Sequence, residues 1–270
     1  MLRNNLLQRI LSAAVILAIA IPVTLLGGPL FSLFVLLVVA VAWWEWVTMG
    51  RKGGLRPFLV IGAIAALAVC ALETAPAGWR GLALFAAFGG IAIAALLRSD
   101  YVGILADVTY SLYGVLWLGW LAGYAIFLRD RVGAVNGLAW LLTGIAITIA
   151  ADTGAYATGR AMGRHLLCPR VSPKKTVEGL VGGLAAAALV GGAAAFLALD
   201  RPVWLGALVG VAGGLAAVLG DLLESLVKRQ LDVKDSSRLI PGHGGVLDRI
   251  DGLLFVIPVM AACVILTYGG

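Results

Sequence analysis

Between Ser225 and Asp251 the chain reads SLVKRQLDVKDSSRLIPGHGGVLDRID, 27 residues with five basic side chains, four acidic ones, a histidine and three glycines. Asp221 and Glu224 stand just upstream, and Glu224 and Ser225 follow Asp221 by three and four residues, so on a helix the three share one face. Asp248 and Asp251 repeat the three-residue step, and if the polar segment between them and Asp221 folds back, Asp221 and Asp248 can meet. Paired carboxylates suit Mg2+, which takes one or two of them and completes its octahedron with water and phosphate oxygens. Asp221, Asp248 and Asp251 are the expected metal ligands, with Asp235 and Asp251 available to orient basic residues or hold a second cation. The competing role for these acids is neutralisation of Lys228, Arg229, Lys234 and Arg249.

The run Pro241-Gly242-His243-Gly244-Gly245 predicts a tight turn whose glycines let backbone N–H groups approach an anion. A histidine among basic residues tends to be neutral near pH 7, which favours His243 as a donor to a phosphate oxygen over a base. A second cluster, Ser172-Pro173-Lys174-Lys175-Thr176-Val177-Glu178-Gly179, precedes an apolar run. Lys174 and Lys175 can bind phosphates as point charges, and Ser172 or Thr176 can coordinate a phosphate or cap the following helix. Juxtamembrane lysines also commonly contact anionic lipid without further role. Asp152 lies in an apolar stretch, where an ionisable group is a candidate for function.

These residues need elements to hold them. The chain of 270 residues is 61% hydrophobic and only 13% charged, with a mean hydropathy of +1.02, which marks an integral membrane protein. Apolar runs near the ~20 residues that cross a bilayer recur at about Ile10 to Gly27, Pro29 to Thr48, Phe58 to Leu72, Gly81 to Leu97, Val108 to Leu128, Gly137 to Ala157, Gly179 to Leu199, Val203 to Leu223 and Gly252 to Tyr268. With the N-terminus inside, 16 Lys and Arg residues fall in inner segments and only Arg80, Arg129, Arg131 and Arg201 in outer loops. That bias follows the positive-inside rule and predicts an all-α polytopic membrane protein of about nine transmembrane helices, N-terminus cytoplasmic and C-terminus outside. The first run, after Arg3 and Arg9, resembles a signal peptide with a cleavage pattern at Ala18-Ile19-Ala20, but it continues apolar to Leu26 and reads as an uncleaved span.

Residues 1–136 read as a transmembrane scaffold of about five helices, and 137–270 as a catalytic region of about four with cytoplasmic loops. Trp43, Trp44 and Trp46 beside Arg51 and Lys52 suggest an interfacial aromatic belt, with Glu45 reaching water among them. Gly206, Gly210 and Gly214 put a bare ridge on one helix face, suited to close packing within the protomer or in a homodimer. Cys70, Cys168 and Cys263 form no CxxC or disulfide pattern. The net charge of +6 follows membrane sidedness, so anionic lipid and nucleotide, not nucleic acid, are the expected partners.

Taken together, Ser225, Lys228-Arg229, Lys234-Asp235, Pro241, His243-Gly244-Gly245 and Asp248-Arg249-Ile250-Asp251 resemble the signature of phosphatidate cytidylyltransferases. Ser172 to Gly179 is similar to that family's SPKKT-x-EG segment, and Asp152 to Gly159 to its DTGAY-x-x-G segment. The resemblance implies that CTP and phosphatidate give CDP-diacylglycerol and pyrophosphate at the cytoplasmic face of a bacterial inner membrane, with Mg2+ required. It also implies that Asp221 and Asp248 hold Mg2+ against CTP, that Lys228, Arg229 and Lys234 offset the triphosphate, and that Lys174 and Lys175 serve CTP or the lipid headgroup. The rivals are a CTP-dependent polyprenol-type lipid kinase and, from another class, an ion-coupled transporter using Asp152 and Asp221. A CDP-alcohol phosphotransferase fails, because Phe255-Val256 follow where its D-x-x-D-G motif needs Ala-Arg.

Overall fold

The structure, a computed structural model, describes residues 2–131 and 134–268. Gly269 and Gly270, and the side chains of Arg3, Arg9 and Arg131 that entered the loop-charge balance, lie outside the described residues. Among those described, seven helices are long and apolar enough to cross a membrane, and two apolar helices, Ile10–Leu26 and Leu59–Ala71, are shorter. The chain is a helical polytopic membrane protein. A departure from the all-α expectation is one short antiparallel hairpin.

The chain divides into two compact units. The first comprises residues 1–131 and 230–250. Its helices are α1 (Leu2–Leu26), α2 (Gly28–Lys52), α3 (Leu59–Ala71), α4 (Ala77–Leu96), α5 (Ile104–Gly114) and α6 (Leu121–Arg131), and a π-helical turn over Val115–Trp120 makes α5 and α6 one continuous rod. The wide turn lies against α3, because a Cβ on Gly119 would come 2.6 Å from the Ala66 carbonyl oxygen. Trp43 and Trp46 are almost wholly buried in this unit, and only Trp44 is exposed, which corrects the aromatic-belt expectation. Each indole finds an acceptor as burial requires: Trp43 Nε1 donates to the Leu59 carbonyl at 2.9 Å and Trp46 Nε1 to that of Tyr110 at 3.1 Å. The Tyr110 ring stacks on Trp46 at 4.2 Å, and its hydroxyl returns a bond to the Trp46 carbonyl at 2.8 Å. These paired bonds tie α2 to α5.

The second unit comprises residues 132–229 and 251–270. It contains α7 (Ala134–Met162), the hairpin of β1 (Leu166–Cys168) and β2 (Ser172–Thr176), α8 (Val177–Leu197) and α9 (Val203–Gln230), while α10 (Leu247–Tyr268) begins in the first unit and runs on in the second. Leu166 pairs with Thr176 and Cys168 with Ser172. Thr176 ends the strand and caps α8, its hydroxyl accepting the Gly179 N–H at 3.1 Å. The glycine ridge of α9 faces α8: a Cβ on Gly210 would strike the Ala187 carbonyl, and one on Gly214 would lie 3.1 Å from the Ala187 Cβ. The ridge is used inside the protomer. Among the described residues all three cysteines are free thiols.

Gly210→Leu forces a branched side chain into that backbone contact. Overpacking of this kind costs about 1–3 kcal/mol, so the detergent-solubilised variant should melt at a lower temperature than the parent, with Leu208→Ala on the exposed face as the neutral control.

Candidate active site

The signature loop is held to the first unit by a buried acid. Glu45 on α2 is fully buried, which corrects its expected contact with water. One carboxylate oxygen accepts the Ser237 hydroxyl at 2.6 Å and the Val246 N–H at 2.9 Å. The other accepts the Ser236 hydroxyl at 3.2 Å and the Leu247 N–H at 2.8 Å. Four donors replace the water that a buried carboxylate loses. Asp248 organises the same loop from the first turn of α10, where its Oδ2 accepts the Gly245 N–H at 2.8 Å, the Ser236 N–H at 3.1 Å and the Ser236 hydroxyl at 3.0 Å. Gly245 stands between the two acids, and a Cβ there would come 2.6 Å from Glu45 Oε1 and collide with the Ser236 hydroxyl.

The turn before it has proline second and glycine third, with Gly242 at φ 77° and the His243 N–H donating to the Ile240 carbonyl at 2.9 Å. That is the pattern of a type II turn, which needs a positive φ at its third residue. The Ile240 N–H closes on the Gly244 carbonyl at 2.8 Å, so His243 projects from a two-bond clip. Ser12 Oγ on α1 lies 2.8 Å from His243 Nδ1 and 3.2 Å from the Pro241 carbonyl. These contacts orient the ring and leave Nε2 as its other polar atom.

In the second unit the acids gather where α9 meets α10. The helices touch at Gly220, whose absent side chain makes room for the Asp251 backbone, and at Gly252, where a Cβ would lie 3.0 Å from the Ala217 carbonyl. Asp251 thereby lies beside Glu224 and within electrostatic reach of Asp221. Lys175 Nζ sits 2.5 Å from Asp221 Oδ2, and Lys228 Nζ 2.5 Å from Glu224 Oε2. Ser225 donates to Asp221 Oδ1 at 3.3 Å. Strand geometry explains why Lys175 and not Lys174 is the partner. Successive residues on β2 point to opposite faces, which leaves Lys174 exposed and turns Lys175 inward.

Glu178, the acid of the segment that resembles SPKKT-x-EG, holds the approach to β1: its Oε2 accepts the N–H groups of Arg164 and His165 at 3.0 and 3.2 Å, and its Oε1 lies 2.5 Å from His165 Nδ1. Arg229 donates to the Val171 carbonyl at 3.3 Å. Asp152, Lys234, Asp235 and Arg249 are exposed, Ser172 is half-buried, and Gly244 has a φ of 81° that places its backbone against Asp248.

Among the described residues no group of three or more His, Cys, Asp or Glu side chains forms a metal cage. The donors still fit a hard cation that keeps open positions. Three carboxylates, Asp221, Glu224 and Asp251, stand with two lysines, an all-oxygen set with acid in excess, and Mg2+ binds proteins through only one or two such groups. Sequence reading missed Ser236, whose side chain is buried between Glu45 and Asp248. Ser12 and His165 also carried no signal, being single polar residues without a motif. Glu45 did carry one: an acid between tryptophans far enough inside an apolar run to need partners.

A multi-span helical protein with carboxylates and lysines clustered in one unit, and a glycine-bearing histidine loop in the other, carries groups of the kind that membrane enzymes use to handle phosphate. The sequence profile of the cytidylyltransferase family matches residues 7–267, and the chain belongs to that family of nucleotidyltransferases. It is 36% identical over 285 aligned positions to the phosphatidate cytidylyltransferase of Synechocystis sp., covering 96% of both chains. The phosphatidate cytidylyltransferase of Staphylococcus epidermidis is 35% identical, with 96% of this chain and 99% of that one aligned. That of Mycobacterium tuberculosis is 39% identical over 60% of this chain and 48% of its own.

Glu45→Ala takes the acceptor from the Leu247 and Val246 N–H groups and the Ser237 hydroxyl, while Ser236 keeps Asp248; a donor left buried and unpaired costs about 1–3 kcal/mol. Backbone amides of residues 236–247 should then exchange with solvent far faster than those of α8, and turnover should fall by about a hundredfold through misplacement of the loop. Unchanged exchange in that segment would contradict the anchoring role.

Proposed function

We propose that this cytidylyltransferase joins CTP to phosphatidate. A phosphate oxygen of phosphatidate forms the new bond to the α-phosphorus of CTP, the bond from that phosphorus to the β-bridging oxygen breaks, and pyrophosphate leaves with the electron pair. CDP-diacylglycerol stays in the membrane. The nucleophile is a phosphate monoester already anionic near neutral pH, so no strong general base is needed. The work is to bring two anions together and stabilise charge during transfer.

The observation that carries this reading is the cluster of Asp221, Glu224 and Asp251 with Lys175 and Lys228, joined to a family whose near-full-length relatives are named for phosphatidate. Asp221 and Asp251 are our candidates for the oxygen ligands of Mg2+, which when bound would draw charge from the triphosphate. Asp248 was expected as a ligand on the same grounds, and we assign it the further task of holding the loop through Ser236 and Gly245. Lys228, Arg229 and Lys234 offset the charge of CTP, with Lys174 available to either anion, and His243 donates to a phosphate oxygen. We place these groups, and the N-terminus, on the cytoplasmic side of a bacterial inner membrane, from the charge bias and the bacterial relatives.

The test is turnover of purified protein in mixed micelles with phosphatidate and CTP labelled at the α or the γ phosphate. Transfer of α label into lipid and of γ label into pyrophosphate is expected, whereas γ label in lipid would identify a lipid kinase. Chelation of Mg2+ should stop the reaction and its return restore it. Asp221→Asn and Asp251→Asn should each lower turnover by at least about a hundredfold while eluting from size exclusion like the parent. Near-normal rates in both variants across Mg2+ concentrations would remove them as ligands.

A further inference from the structure

The first unit carries a hollow whose lining includes none of the residues assigned to the transfer reaction. It lies where α2 ends, the 53–58 turn follows and α4 closes, and it is lined by Arg51, Gly54, Leu55, Arg56, Pro57 and Arg98. An adjoining hollow shares Arg51, Pro57 and Arg98 and continues over Val60, Ile61 and Ile64 of α3. The two form one depression with a guanidinium-lined end and an apolar end. Val60 and Ile64, four residues apart and so on one helix face, are 68% and 59% exposed, which makes the apolar end an open groove along α3.

The charges at the polar end do not cancel. Arg56 donates to Asp100 at 2.9 Å, and Arg98 to Asp107 at 2.7 Å while its guanidinium lies 4.1 Å over the Phe58 ring. The Val102 N–H and then the Arg56 guanidinium hold the Asp100 carboxyl below its usual range, so this pair stays ionised through mild acidification. Asp107 also accepts the Arg56 N–H at 2.7 Å, which fixes the floor of the hollow. Arg51 has no ion pair among the described residues and leaves the end with surplus positive charge beside exposed Lys52. The 13 residues of α3 span only ~20 Å at 1.5 Å each, short of the ~30 Å hydrocarbon core. Such a short helix draws headgroups inward, toward the arginines at its N-terminal end.

We propose that this depression is a binding site for an anionic glycerophospholipid of the surrounding bilayer, its phosphate at Arg51 and Arg98 and one acyl chain along Val60, Ile61 and Ile64. The site is built from two paired arginines that form a rigid rim and one unpaired arginine that supplies the attraction. A zwitterionic lipid presents the same phosphate with a cation beside it and gains nothing from the surplus charge. A soluble phosphate lacks the chain that fills the groove.

The experiment is native mass spectrometry of the full chain released from detergent micelles while phosphatidylglycerol is titrated, with phosphatidylcholine and glycerol phosphate as separate arms. Phosphatidylglycerol should be retained in preference to phosphatidylcholine, and Arg51→Gln should weaken its retention about fivefold, the effect of one basic residue at an anionic membrane surface. Equal retention of the two lipids, no effect of Arg51→Gln, or displacement by glycerol phosphate at equal concentration overturns the proposal. If Arg51→Gln does not fold, the parent protein decides: phosphatidylglycerol with a photoreactive acyl chain should mark Val60 to Ile64, and marking confined to other helices overturns it.

Discussion

A carboxylate with no access to water can be kept only by donors, and the position of the signature loop in the first unit follows from that requirement. Glu45 takes two backbone N–H groups and two serine hydroxyls. Those donors come from both sides of the loop, Ser236 and Ser237 before the His243 turn and Val246 and Leu247 after it, so one side chain closes the loop at its base. Asp248 repeats the device at smaller scale. The glycine between them is needed because two acids and a serine converge on a space that holds no side chain. Polar networks of this sort are costly when half satisfied and rigid when complete.

The second unit reaches the same rigidity by bare backbone contact. Glycine and alanine let α8, α9 and α10 approach until carbonyls and Cα atoms touch, as in membrane interfaces where packing replaces the hydrophobic drive. Asp221, Glu224 and Asp251 are adjacent because Gly220 and Gly252 are there. The lysines that neutralise them arrive from different elements, one from a strand and one from the acid's own helix.

The span pattern was legible in composition because every backbone group in hydrocarbon must bond within its own helix; nine apolar runs correspond to seven long and two shorter helices. The clustering of Asp221 and Glu224 with a basic partner was legible from helical spacing. The strand nature of Ser172 to Thr176 was not, since a five-residue run with a proline and two lysines has no period to read. Nor was Ser236 at the junction of two acids, because its role depends on Glu45, far away in the chain. The tryptophans misled for a related reason: Trp43 and Trp46 have the composition of a membrane boundary but find carbonyl partners inside, and only the partners distinguish belt from core.

Glu45 and Ser236 are separated by 191 positions. At the usual pace of synthesis, about 5–20 residues per second, α2 is made roughly ten to forty seconds before the loop that satisfies its acid. During that interval the nascent chain holds an unpaired carboxylate two turns from the end of an apolar helix. Its last donor, the Leu247 N–H, arrives only with the first residue of α10. A chain truncated before residue 236 carries the burden of Glu45 without its remedy.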